Sequence, residues 1–174
     1  MGTDNLAVPQ GAVFKIVREF DAAPELVWRV TTELKHLQQW WGPQGFSWLR
    51  GSLELRPGGL FHYGLRGPGG HEMWGRFTYR EVQAPGSLSY IVSFSNPEAR
   101  IVRAPFNEHW PLEVQCDCSF SASHAGTQLA MRCQPINARP EEEAAYAAAH
   151  DMLRAGFGGS MQVLDAYLQS LQAG

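Results

Sequence analysis

Three short segments rich in glycine and proline divide the middle of the chain at nearly regular intervals. Their sequences are RPGG at 56–59, GPGG at 67–70 and APGS at 84–87. Such tetrapeptides are typical of tight turns, and a chain that reverses this often over short distances favours an antiparallel sheet. The predicted strands cover residues 12–20, 46–55, 60–66, 71–83, 88–95, 111–123 and 127–135, with a short HAG connection at 124–126.

Two short helices are predicted between the first and second strands. The first follows Asp21, a residue suited to the N-cap region, and has Pro24 in its opening turn. The second has the sequence LKHLQQWW and ends where Gly42 and Pro43 break the helix. Adjacent helical residues point about 100° apart, so Trp40 and Trp41 are expected to contact different surfaces.

The C-terminal segment has the signature of one long amphipathic helix. It opens with Pro140 and three glutamates, and its apolar residues then recur at three- and four-residue steps over about 30 residues. Gly156, Gly158 and Gly159 are unfavourable inside a helix. They predict a kink there, or a close approach of the helix to another surface.

Together these elements predict an α+β helix-grip fold, in which a curved antiparallel sheet wraps around a long C-terminal helix. An antiparallel sheet with one apolar face needs a cover, and the terminal helix is the element large enough to provide it. The two short helices after the first strand are expected to close one end. Residues 13–174 are predicted to form a single domain after a flexible N-terminus over 1–12.

Charge and hydropathy argue against several classes of partner. The formal net charge is −3 and no cluster of lysine or arginine stands out, so neither nucleic acid nor an anionic membrane is expected as a partner. The N-terminus lacks the basic and apolar regions of a signal peptide, and no stretch approaches the roughly 18 apolar residues of a membrane span. These features predict a cytoplasmic protein.

Neither a metal nor a cofactor is predicted. The chain has three cysteines. Cys116 and Cys118 share one face of a predicted strand, and Cys133 lies on the next predicted strand. Structural zinc uses four ligands, and no histidine lies at zinc-finger spacing, so buried or semi-exposed free thiols are expected. The chain also lacks a nucleophile elbow, a phosphate-binding glycine loop, a dinucleotide fingerprint and a His-Glu-x-x-His motif.

Several segments resemble the activator of heat-shock protein 90 ATPase homologue family of the START-like (SRPBCC) superfamily. The most specific are QWWGP at 39–43, RPGG at 56–59 and YREV at 79–82, and the similarity extends over about residues 13–172. The ending GFGGSMQVLDAYL also fits, with Phe157 where relatives more often carry tryptophan. The resemblance implies a helix-grip fold with an internal cavity and no common catalytic constellation, and most bacterial members have no established activity.

Aromatic and methionine side chains on the faces expected to point inward are the candidate cavity residues, together with one histidine on the long helix. The alternative for each is plain core packing, since large aromatic residues fill cores as readily as sites. The set comprises Trp40, Trp41, Phe61, Tyr63, Met73, Phe77, Tyr79, Trp110, His150, Met152, Phe157 and Met161.

Three functions are compatible with this pattern. The first is a binding protein for a small hydrophobic or aromatic ligand. The second is an enzyme of the cyclase, aromatase or hydrolase kind, which would need a polar cluster in the cavity that includes His150 or Glu81. The third is a protein-interaction or chaperone-associated module with an exposed apolar patch. The Pro-containing insertion at 96–111 predicts either a homodimer contact or a segment that folds back and closes the cavity.

Overall fold

The computed structural model describes residues 12–173 as seven strands and four helices. The predicted flexible N-terminus over 1–12 lies outside the described residues except for Ala12, which is buried. In chain order the elements are β1 Phe14–Phe20, α1 Pro24–Thr32, α2 Leu34–Trp40, β2 Ser47–Leu53, β3 Leu60–Arg66, β4 Glu72–Gln83, β5 Ser87–Phe94, β6 Val114–Ser123, β7 Gly126–Pro135, α3 Pro140–Ala148 and α4 His150–Ala173.

The seven strands form one curved antiparallel sheet in the order β1-β7-β6-β5-β4-β3-β2. Consecutive strands from β2 to β7 are neighbours, and β1 closes the far edge against β7. Two of the predicted turns need glycine, since Gly58 and Gly70 have φ angles of +82° and +85°. The predicted helix-grip architecture, with two short helices after β1 and a long C-terminal helix, is confirmed.

The core lies between the concave face of the sheet and the helices. Leu164 and Leu168 of α4 are fully buried there, as are Val27 and Val30 of α1. A 2.6 Å hydrogen bond between His36 Nδ1 and the hydroxyl of Tyr167 ties α2 to α4. Within residues 12–173 no helix is both long enough and apolar enough to cross a membrane.

The long C-terminal helix is confirmed but is shorter than the predicted 30 residues or so, because a separate helix precedes it. The helix breaks at Ala149, whose φ and ψ are −97° and 7°, and α3 and α4 lie on either side. α4 runs through the three glycines without a break. The close approach that the sequence allowed is found only at Gly158, where a Cβ atom would lie 3.1 Å from a guanidinium nitrogen of Arg18. A Cβ atom built on Gly156 or Gly159 would meet no other atom within 4 Å, so the space beside them is open.

The prediction of free thiols is wrong for two of the three cysteines. Cys116 on β6 and Cys133 on β7 are register partners joined by a disulfide, while Cys118 is free and buried. The physical reason is the hairpin register. The turn occupies His124 and Ala125, and the two bonded cysteines lie at equal distances on either side of it.

Candidate functional site

A cavity of about 370 Å³ lies between the concave face of the sheet and the two C-terminal helices. Strands β3 to β7 provide one wall, α3 and α4 the opposite wall, and the segment 96–113 covers one end. The cavity is open to the surface, and two of its lining residues, Phe106 and Met152, are 55% and 54% exposed. A small molecule therefore has a path from solvent to the interior.

The sheet wall follows from the two-residue period of the strands. Tyr63 and Leu65 of β3, Val92 and Phe94 of β5 all point to the concave side, because alternate residues of a strand share a face. Gly75 on β4 makes room for one of them. A Cβ atom at that position would lie 2.5 Å from the Tyr63 hydroxyl oxygen. The strand sequences thus set both the shape and the apolar character of this wall.

The two adjacent tryptophans have separate roles. Trp40 is buried in the core and donates a 2.8 Å hydrogen bond from Nε1 to the carbonyl oxygen of Val30. Trp41 follows the end of α2 and turns toward the sheet, where its ring makes edge contacts with Tyr63 and Phe77 at centroid distances of 5.9 and 5.4 Å. Trp41 lines the cavity, whereas Trp40 does not.

The segment 96–113, which contains the insertion predicted at 96–111, folds back over one end of the cavity, which is one of the two alternatives that the sequence offered. Trp110 packs against Tyr146 of α3 at a ring-centroid distance of 5.3 Å. Phe106 contacts both Phe94 and Trp110. All four aromatic side chains line the cavity, so this segment supplies a wall as well as a cover.

An ion pair fastens the segment to the start of α3. Arg103 donates hydrogen bonds to the Trp110 carbonyl oxygen and to Oε1 of Glu142, and the backbone N–H of Arg139 donates to the other carboxylate oxygen. Burial alone would raise the pKa of Glu142. The hydrogen bonds from Arg139 and Arg103, with the positive charges of both, outweigh burial and hold that pKa below its ordinary value.

Six residues of α3 and α4 form the helix wall of the cavity. Tyr146, Leu153 and Phe157 face the cavity at nearly helical spacing, and Gly156 and Ser160 lie between and after them. The Phe157 ring stacks on Phe14 of β1 at a centroid distance of 5.7 Å. Gly156 is exposed, and a Cβ atom built on it would meet no other atom within 4 Å.

A second void of about 50 Å³ lies deeper, toward α1 and α2. Trp41 and Phe157 line both spaces, so their two rings form the partition between the cavity and this second void. Tyr90 and Cys118 lie on the deeper side, with the hydroxyl oxygen 3.5 Å from the sulfur.

The cavity is chemically apolar. Among the described residues, no charged or histidine side chain lines it. Burial raises the pKa of Tyr63 to about 12 and also raises the pKa of Tyr146, so both hydroxyls stay neutral at physiological pH. Such walls accommodate apolar surface and would hold an ionised ligand only at a large desolvation cost.

The residues predicted for the cavity divide into three groups in the structure. Neither acid–base candidate of the enzyme alternative reaches the cavity: Glu81 is exposed, and His150 packs against the rings of Phe14 and Tyr146 outside the lining. Of the predicted set, Trp41, Tyr63, Met73, Trp110, Met152 and Phe157 line the cavity; Trp40, Phe77 and Met161 line only the second void; Phe61, Tyr79 and His150 line neither.

Sequence reasoning missed several lining residues, although signals for them existed. The alternation in SLSYIVSF places Val92 and Phe94 on the same face as the buried Tyr90. The pairing of the two cysteines could also have been predicted from the sequence. Cys116 lies eight positions before the His124–Ala125 turn and Cys133 eight positions after it, so a two-residue hairpin makes them neighbours.

Comparison with known proteins gives a family and a fold. A family model described as "Activator of Hsp90 ATPase homolog 1-like protein" matches residues 21–169. A crystal structure of a protein from Nitrosomonas europaea has a TM-score of 0.75 at 20% identity, covering 95% of this chain and 99% of that one. A Rhodobacter sphaeroides protein has a TM-score of 0.73 at 22% identity, covering 92% and 95%.

A further similar structure, from Silicibacter pomeroyi, is described as an AHSA1 protein. Its TM-score is 0.69 at 19% identity, and the alignment covers 91% of this chain and 98% of that one. At such identities these structures show a shared fold and no more. No curated protein matches the chain.

Proposed function

The chain belongs to the Activator of Hsp90 ATPase homolog 1-like family, and we propose that it is a binding protein for small, neutral, hydrophobic or aromatic molecules. The observation that carries this proposal is the open cavity of about 370 Å³, whose lining includes the exposed Phe106 and Met152. Ligand sites are typically mostly apolar clefts of roughly 300–1,000 Å³. The family and fold support a ligand-binding type of protein, and the ligand class follows from the cavity walls.

The volume sets the size of the ligand. An apolar cavity of about 150 Å³ holds one benzene molecule. The observed volume therefore suits a molecule of two or three aromatic rings, or an aliphatic molecule of similar bulk. The edges and faces of Trp41, Tyr63, Phe94 and Trp110 offer the aromatic contacts that such a ligand favours.

The two other functions have less support. Glu81 and His150 lie outside the cavity, so the enzyme alternative lacks the acid–base groups that the sequence offered for it. An interaction module would use exposed apolar surface, and the exposed Phe106 and Met152 lie at the cavity mouth. Their position supports a route for a ligand more directly than a flat docking surface.

Fluorescence titration tests the proposal. N-phenyl-1-naphthylamine is neutral, has three aromatic rings and becomes fluorescent in apolar surroundings. We expect saturable binding, accompanied by quenching of the tryptophan emission because Trp41 and Trp110 line the cavity. Native mass spectrometry of freshly purified protein would then identify any bound molecule. Failure of this compound and of fatty alcohols to saturate the protein would contradict the proposal.

A matched pair of glycine variants locates the binding. Gly156 and Gly159 lie on the same helix with open space beside each, but only Gly156 lines the cavity. Gly156→Leu should weaken naphthylamine binding at least about tenfold, because its side chain occupies ligand space. Gly159→Leu is the control and should bind as the parent does. Equal weakening in both variants would place the ligand elsewhere.

Two features of the proposal concern the protein's surroundings. We keep the cytoplasm as the proposed location and a homodimer through the 96–111 segment as a proposed assembly, the latter because Phe106 and Val102 are 55% and 37% exposed. Light scattering over a range of concentrations tests the assembly. A constant mass near 19.3 kDa would exclude the homodimer.

A further inference from the structure

Two of the three cysteines lie in the wall of the cavity. Cys116 and Cys133 face each other across β6 and β7 with their Cα atoms 4.2 Å apart, and they are joined by a disulfide. They are 3% and 1% exposed, and both line the cavity. Directly opposed residues on antiparallel strands project side by side from the same face of the sheet. Both sulfur atoms therefore belong to the concave, ligand-facing side.

The fold holds these two residues together even without the bond. The β6–β7 pairing runs without a register shift from Val114 and Pro135 to Ser123 and Gly126, with the cysteine pair inside it. Reduction would break one covalent bond and leave the neighbouring strand pairs in place. The two thiols would then remain adjacent and able to form the bond again.

We propose that Cys116 and Cys133 form a dithiol–disulfide site that small uncharged thiols reach through the cavity and that a bound ligand shields. The inference rests on the proposed binding function, because it requires that ligand and thiol use the same space. A cytoplasmic location would expose the pair to a reducing environment. The site would then couple the redox state of the protein to the occupancy of its cavity.

The chemistry is ordinary thiol–disulfide exchange. The thiolate of an entering thiol attacks one of the two sulfur atoms, the bond between Cys116 and Cys133 breaks, and a mixed disulfide forms. The second cysteine leaves as a thiolate and takes up a proton. A second thiol molecule then attacks the mixed disulfide, which releases the oxidised reagent as its own disulfide and leaves both cysteines reduced.

Selectivity follows from the walls of the cavity. No charged side chain lines it among residues 12–173, so a reagent that carries carboxylates or an ammonium group must lose their hydration without compensation. A reagent whose only charge is the reacting sulfur avoids that additional cost. The pair should thus discriminate between thiols by charge.

Cys118 provides an internal reference. It lies two residues after Cys116 on the same strand, but it lines the second void and not the cavity. Its sulfur contacts the Tyr90 hydroxyl at 3.5 Å, and burial raises the pKa of its thiol to about 12. It should remain a single unreacted thiol throughout, since a buried neutral thiol is a poor nucleophile.

The test follows reduction of the wild-type protein by mass spectrometry. Samples are exposed to 2-mercaptoethanol or to glutathione at equal thiolate concentration, quenched in acid, unfolded and alkylated. The structure predicts one alkylated cysteine before reduction and three after it. Glutathione should react at least about tenfold more slowly than 2-mercaptoethanol.

Ligand shielding is measured with N-phenyl-1-naphthylamine in the same assay. At nine times its dissociation constant it should slow reduction by 2-mercaptoethanol about tenfold, as expected for mutually exclusive occupancy. A Cys133→Ser variant should show two alkylated cysteines with or without reductant.

Each remaining outcome overturns a specific part of the inference. Three free thiols in protein purified without reductant would show that the pair does not form a disulfide. Equal rates with the two thiols would show that the cavity is not the route. Saturable naphthylamine binding without protection would overturn the shielding and leave the proposed function standing. Absence of naphthylamine binding would overturn both.

Discussion

The two halves of α4 pack differently against the same sheet. From His150 to Ser160 the helix borders the cavity, and its large apolar side chains are exposed or only partly buried. From Met161 onward its inward apolar side chains are buried away from solvent, and Leu164 and Leu168 are 0% and 1% exposed. Both halves carry apolar residues at helical spacing, so amphipathic pattern alone does not separate them.

The difference lies in side-chain volume and in what faces the helix. The packed half lies against α1 and α2, which bring Val27, Val30 and Leu37 into the same core. The cavity half has three glycines within four positions and faces the segment 96–113. The comparison shows that the cavity lies beside the N-terminal half of α4, which contributes less side-chain volume, while the C-terminal half packs the helix onto the core.

The largest expected effect belongs to the packed half. Leu164→Ala should lower the free energy of unfolding by about 2–5 kcal/mol, because Leu164 is 0% exposed and its truncation enlarges the second void that it already lines. Urea denaturation measures this loss, and naphthylamine affinity should not change. A loss below about 2 kcal/mol would mean that the two halves are packed alike.

Phe157→Ala should have a smaller effect on stability and a larger one on binding. A fully buried phenylalanine loses about 3–5 kcal/mol on truncation, whereas Phe157 is only partly buried and lines two voids, so the loss should stay below about 3 kcal/mol. Removal of the ring joins the cavity to the second void. Pyrene, which has four rings, should then gain affinity relative to N-phenyl-1-naphthylamine. A core-sized loss with unchanged relative affinity would assign Phe157 to plain packing.

Glu142→Gln tests how the cavity end is held closed. The variant keeps an acceptor for the Arg139 N–H but loses the charge that Arg103 contacts, so the loss should be about 1–2 kcal/mol at pH 7. The folded-state pKa of Glu142 is below its unfolded value of about 4.3. Its contribution is therefore present above that value and disappears as the pH falls through the folded pKa.

Urea denaturation at pH 7 and at pH 3.5 measures this pH dependence. The difference in stability between parent and Glu142→Gln should narrow at the lower pH, since the parent's carboxylate then begins to take up a proton. Glu143→Gln is the matched control, because Glu143 lies in the same helical turn and forms no ion pair within residues 12–173. An unchanged difference at both pH values would show that the Glu142 charge does not stabilise the closed end.

The smallest effect comes from filling the glycine positions with a single methyl group. Gly156→Ala and Gly159→Ala should each raise the free energy of unfolding by about 0.5–1 kcal/mol, because neither new Cβ meets another atom and alanine favours the helix. Thermal unfolding measures both. Only Gly156→Ala should alter naphthylamine affinity. Destabilisation by either variant would show that the cavity half is more tightly packed than the structure indicates.

Much of the fold could be predicted from local sequence. The turn signals placed β3 at residues 60–66, as observed, and the other strand boundaries agree to within about three residues. The break at Ala149 could not be predicted, because the surrounding AAYAAAH is a favourable helical sequence. It follows from anchoring, since α3 is held by the Arg103–Glu142 pair while α4 packs on β1, α1 and α2.

The candidate site was predictable in character and less so in membership. Alternation correctly indicated that Tyr63, Met73 and Phe77 share the concave face, but one face of the sheet serves both the cavity and the core. Which of them borders empty space depends on where Trp41 and Phe157 point. The direction of Trp41 is set by its contacts with Tyr63 and Phe77 of the sheet, and that of Phe157 by its stacking on Phe14 of β1.

Local chemistry was sufficient for the strands, the turns, the two short helices and the apolar face of the last helix, because strand period, glycine conformation and helix period act over a few residues. Contacts between distant residues set the rest: the placement of Trp41 and Phe157 between the cavity and the second void, and the cover formed by 96–113. Empty volume has no local signature, since it arises where several distant elements together fail to fill a space.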